Sequence, residues 1–180
     1  MRTYAQAERE MTEIISTLLV NQTFCKLIYY DVPNPLSQPD IIDTSKLLYT
    51  SKDIGKETLA HRIFGLPKMP DVTSEAKTII IPRLISSKPL ADRSNVYYKN
   101  YTILFNIATH EKLWNLDGGG TRVLQILDQF DKVFNLKDTQ NSSSKMLDKG
   151  ATYQVLNEKW LGYIISYELT GSSIACRGDI

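Results

Sequence analysis

Residues 100–134 read NYTILFNIATHEKLWNLDGGGTRVLQILDQFDKVF, and they hold the clearest change of period in the chain. From Tyr101 to Ala108 the apolar residues alternate: Tyr101, Ile103, Phe105 and Ile107 fall on one side, with Thr102 and Asn106 among the more polar residues opposite. That period of two predicts a strand beginning near Val96 with one face buried. From Val123 the period lengthens. Val123, Ile126, Leu127, Phe130, Val133 and Phe134 follow the i, i+3, i+4, i+7 rule and predict a helix over about 119–134, with Asp128, Gln129, Asp131 and Lys132 pointing outward. Between strand and helix stand a histidine, His110, a tryptophan, Trp114, and the run Asp117-Gly118-Gly119-Gly120-Thr121-Arg122.

Working outward, Met11, Ile14, Ile15 and Leu18 recur with Tyr4 and Ala7 at helical spacing, and Glu8, Arg9, Glu10 and Glu13 lie on other faces. This predicts an amphipathic helix over about 3–20. Asn21 is placed to cap a second, shorter helix carrying Phe24, Leu27 and Ile28. Residues 31–42 hold three prolines and read as a loop, and Leu47, Leu48 and Ile54 support a short helix ending at Gly55. The proline-punctuated 61–73 reads as an extended crossing segment. TIIIPRLI (78–85) is β-rich, but Pro82 cannot donate to a ladder, so an edge strand or a bulge is expected there. Residues 88–95 and 135–151 read as polar loops. Tyr153, Val155 and then Leu161, Tyr163, Ile165, Tyr167 and Leu169 predict a hairpin turning near Asn157 and Glu158.

The resulting order predicts one domain of α+β class. Its sheet is mixed and mainly antiparallel, with the 119–134 helix packed on one face; the helical part covers about 1–60 and the β-rich part about 77–170. The chain of 180 residues is long enough to bury a sizeable core. Its 21 basic and 20 acidic side chains nearly cancel, so it lacks the basic excess of a protein that grips nucleic acid. The charged N-terminal stretch does not read as a secretion signal, no apolar run reaches the length of a membrane span, and a cytosolic setting is expected.

The glycine run invites a nucleotide reading. A Walker loop needs a lysine followed by serine or threonine, and a dinucleotide fingerprint needs a third glycine at fixed spacing; G-G-G-T-R-V meets neither requirement. Two readings stay open. Backbone N–H groups at the helix start, with Arg122, can hold an anion. Alternatively Asp117, Gly118, Gly119 and Gly120 form a structural turn in which Asp117 caps the helix. His110, followed by Glu111, has the reach of a general base, but no nucleophile elbow, carboxylate pair or metal-ligand spacing accompanies it. No catalytic residue, metal or cofactor is therefore assigned. Cys25 falls on an apolar helical face as a small buried hydrophobe, far in sequence from Cys176. Arg177-Gly178-Asp179 spells an integrin-binding tripeptide that is short enough to arise by chance.

Three segments taken in order, LLVNQTFCKLIYYDVPNPLSQPDI (18–41), RIFGLPKMPDV (62–72) and the opening stretch, followed by WLGYIISYEL (160–169), resemble neck proteins of tailed bacteriophages, and more narrowly the tail-terminator or tail-completion class. The resemblance implies a structural, non-enzymatic virion protein assembled in the host cytoplasm. Such proteins form a ring, commonly hexameric, that caps the tail tube and joins it to head-closure or connector proteins while genomic DNA passes through the lumen. A head-closure or tail-tube protein is the nearby alternative, and a small nucleotide- or anion-binding protein is the alternative of another class. On this reading His110, Trp114 and Arg122 are candidates for a subunit contact. The loops 31–42, 88–95 and 135–151 are candidates for docking elements that order on assembly.

Overall fold

A computed structural model describes residues 4–56, 58–65, 75–89, 99–134 and 144–171. Two helices open the chain, α1 (Tyr4–Val20) and α2 (Gln22–Tyr29). Asn21 joins them by accepting the Phe24 N–H on its side-chain oxygen at 3.1 Å, the cap expected from its position. Two short strands follow, β1 (Leu48–Tyr49) and β2 (Ile63–Phe64), and then two long ones, β3 (Thr78–Pro89) and β4 (Lys99–His110). The helix α3 (Arg122–Phe134) and the hairpin of β5 (Ser144–Val155) and β6 (Trp160–Gly171) complete the order.

The six strands form one mixed sheet in the order β1-β2-β3-β4-β6-β5. β1, β2 and β3 run parallel, and the ladders from β3 through β4 and β6 to β5 are antiparallel. The face of β4 carrying Tyr101, Ile103, Phe105 and Ile107 is fully buried, together with Ile80 of β3 and Ile165, Tyr167 and Leu169 of β6. All three helices pack on that face: Ile14 and Leu18 from α1, Phe24, Leu27 and Ile28 from α2, and Val123, Ile126 and Phe130 from α3 join the same core. Phe130 sits at its centre, with ring contacts to Phe24, Phe105, Phe134 and Tyr167. Tyr49, Phe64, Ile79, Ile81, Ala108 and Trp160 form a smaller second cluster.

Several boundaries differ from the sequence reading. Residues 144–151, read as loop for their serine and lysine content, are the first half of β5; an outer strand needs few apolar residues because much of it meets water. Likewise Lys88 and Pro89 end β3 rather than begin a loop. The short helix expected at 47–55 is two 3-10 turns, Thr44–Leu47 and Ser51–Asp53, with β1 between them. Pro82 lies in an internal strand. Ile80 donates its N–H to Arg62 on the β2 side, so Pro82, two residues on, turns its nitrogen the same way, past the end of β2 where no donor is required. The bulge in β3 lies further on, between Leu84 and Ser86. Glu10 and Gln129, placed outward by their polarity, are both buried. Gln129 accepts a bond from the Asn21 side chain at 3.2 Å, because the junction of α1 and α2 sits against α3. The expectations for 66–74, for 90–98, for 135–143, and for the tail with Cys176 and Arg177-Gly178-Asp179 lie outside the described residues.

Candidate functional site

β4 ends at His110, which the sheet places opposite Trp160 of β6. The imidazole is buried, its Nδ1 accepts the Lys112 N–H at 3.2 Å, and its ring meets Trp160 edge-on at 5.7 Å. His110 thus starts the 3-10 turn Glu111–Leu113. Trp114 follows, packed on the main core and edge-to-face with Tyr153 at 6.3 Å. The sequence did not single out Trp160, although a tryptophan opening an alternating apolar strand is a signal of burial.

The glycine run then reverses the chain. The Gly119 N–H donates to Leu116 and the Leu116 N–H to Gly120, while Asn115 and Thr121 bridge across the turn. Gly119 and Gly120 have φ of 83° and 81°, in the left-handed region that glycine enters without steric cost. Asp117 does not cap the helix. The Gln125 N–H donates to the carbonyl of Thr121, so α3 begins at Arg122, and Asp117 instead donates its own N–H to Pro33 at 3.0 Å.

Arg122, expected at a subunit contact or beside an anion, turns inward. Its side chain is fully buried within its own chain. Nε donates to the Leu113 carbonyl at 2.9 Å, Nη1 to Leu27 and Tyr30 at 2.6 and 2.8 Å, and Nη2 to Val32 at 2.5 Å. The Leu27 carbonyl is in the last turn of α2, where carbonyls have no helical partner and the helix dipole favours a cation. The guanidinium therefore closes the end of α2 with its rigid fork of donors. Burial draws its pKa down to about 10, with the Asp31 charge opposing, so it stays protonated at neutral pH.

A second arginine holds the same segment. Arg62, just before β2, is buried and donates through Nη2 to Asp31 at 2.6 Å and to the Tyr29 carbonyl at 3.0 Å. Burial pushes the Asp31 carboxyl above its ordinary range, and Arg62 beside it pulls the other way. Asp31, Leu59, Arg62, Glu75, Ala76 and Lys77 line a cavity of about 290 Å³ whose charged groups are of both signs. Sequence reasoning passed over Arg62; the available signal was a charged residue heading the apolar run Ile63-Phe64.

The two arginines grip residues 27–32, the base of the 31–42 loop. That loop is tied further to α2: Gln22 bonds both backbone groups of Ile41 at 3.0 Å, Lys26 pairs with Asp40 at 2.7 Å, and the Tyr30 hydroxyl donates to Pro39 at 3.0 Å. A loop expected to order on assembly is thus held by its own chain, with Leu36 and Ile42 exposed on it. Among the described residues no group of three or more His, Cys, Asp or Glu is placed to hold a metal ion, and no helix is long and apolar enough to cross a membrane.

The YomW family model matches residues 21–169, from the cap of α2 to the end of the β6 core, and the chain belongs to that family. The family's name suggests a gene product of an SPbeta-like Bacillus phage, consistent with a phage protein. No curated protein matches the chain.

Proposed function

We propose that this YomW-family chain is a structural virion protein that forms a ring at the head–tail junction, ends the tail tube and joins it to the neck, with DNA passing through the lumen. The observation that carries the reading is the clamp on residues 27–32. Arg122, Arg62 and the ties from α2 are spent on fixing one surface loop, 31–42, which presents Leu36 and Ile42 to its surroundings. A preformed loop lowers the ordering cost of docking, which suits a part that must be captured by neighbouring rings. Ring assembly in turn needs large complementary surfaces rather than a reactive centre. The near-neutral charge suits DNA that slides past without being gripped.

The anion-binding alternative loses its cation. Arg122, the positive group nearest the glycine turn, is buried and directed at four carbonyls on the protein side. Mass photometry and electron microscopy of the purified chain test the proposal. Six-fold rings are expected, with no heat of binding for ATP or GTP; a stable monomer that binds nucleotide would overturn it.

A further inference from the structure

β5 is the outer strand of the sheet, and its two halves are built differently. The first half carries Lys145, Asp148 and Lys149 and is broken by a bulge between Asp148 and Ala151. There Gly150, at φ 97°, donates its N–H to Asp148, and Lys149 pairs with Glu168. Charges and bulges are the usual means of closing a sheet edge to strangers. The second half, Ala151-Thr152-Tyr153-Gln154-Val155, has no charge, no bulge and no proline. The Leu156 N–H donates inward to Trp160, so by alternation the N–H and C=O groups of Val155, Tyr153 and Ala151 point outward. Among the described residues no hydrogen bond reaches them, and Tyr153 and Val155 are 49% and 60% exposed. Tyr153 is also held in place, edge-on to Tyr163 at 5.5 Å and to Trp114 at 6.3 Å.

We infer that Ala151–Val155 is an assembly edge that pairs antiparallel with the same segment of a second copy of this chain. The strip is self-complementary. About a two-fold axis at Tyr153, Ala151 faces Val155 of the partner subunit and Tyr153 faces Tyr153 of the partner subunit, so every outward N–H meets a carbonyl. No like charges oppose one another within the strip. Main-chain pairing of this kind requires an extended strand. The inference is independent of the ring reading, because a two-fold contact forms with or without a ring.

Two variants of the full chain test it: Val155→Pro, which removes an outward donor that the chain's own ladder does not use, and Val155→Lys, which leaves the backbone intact. Each acts twice in a symmetric pair. Val20→Lys, on the exposed end of α1, is the control. In mass photometry the wild type and the control are expected to show two-fold-paired species, and both Val155 variants species of half that mass, with unchanged thermal unfolding. A monomeric wild type overturns the inference. So does an assembly whose mass neither Val155 variant changes; if that assembly is a ring, the head–tail reading stands without this contact.

Discussion

Arg122 shows how little a residue's type says about its use. Read in sequence, an arginine after three glycines at a helix start suggests a phosphate site. In the fold the same side chain closes the end of α2 with donors to Leu27, Tyr30 and Val32. Nothing local could reveal this, because the acceptors lie about ninety positions earlier in the chain. The burial makes a sharp prediction. Arg122→Met leaves several buried carbonyls unpaired and should cost on the order of 3 kcal/mol, since each unsatisfied buried group costs roughly 1–3 kcal/mol. Arg122→Lys keeps the charge but not the fork and should recover only part of the loss. Urea denaturation measures both; a variant within about 0.5 kcal/mol of wild type, the range of ordinary surface changes, would refute the clamp.

At the scale of elements, strand period and helix period were readable wherever one face is buried. They identified β4, α3, β6 and the N-terminal helices, and the cap at Asn21 followed from residue type alone. They failed at β1, β2 and the first half of β5. Two-residue strands carry no period, and an outer strand with polar residues on both sides resembles a loop. Glycines divide in the same way. Gly119 was legible as a turn residue; its φ of 83° disfavours any side chain, but an added Cβ would meet nothing within 4 Å. Gly119→Ala should therefore cost about 1 kcal/mol, the conformational penalty alone. Gly162, unremarked in the sequence, lies where β6 crosses close to β4, and a Cβ there would come within 1.8 Å of the Ile107 carbonyl oxygen. Gly162→Ala must push the two central strands apart and should cost roughly 3 kcal/mol, at the upper end of overpacking penalties. Denaturant midpoints of the two variants check this order, and a larger loss at Gly119 would contradict it.

For the whole molecule, the core formed by three helices on one sheet face sets both stability and reactivity. Cys25, correctly read as a buried hydrophobe, has no exposed surface, and its thiol lies 3.3 Å from the Leu19 carbonyl oxygen. Burial raises its pKa from 9.0 to about 12. The folded chain therefore holds this proton more tightly than the unfolded chain. The contribution to stability is complete below pH 9 and is lost as pH rises from 9 toward 12, the unfolded thiol ionising first. Alkylation of Cys25 at neutral pH should proceed only through opening of the helix layer, at a rate that rises steeply with added urea. Peptide-mapped iodoacetamide labelling follows it, and fast labelling in the native protein would show that the layer opens locally.

By itself the sequence determined the α+β class, the helix and strand that meet at the glycine turn, the buried face of β4, and the cap that begins α2. These are short-range properties, set by side-chain period and by residues that favour or forbid particular backbone angles. Only the tertiary structure decided that β1, β2 and β3 run parallel, that Arg122 and Arg62 converge on residues 27–32, and that, among the described residues, half of β5 is left as an open edge. Those outcomes depend on which distant segments share one core. Backbone groups at helix ends and sheet edges must find partners wherever the packed chain brings them, and no local pattern records where that is.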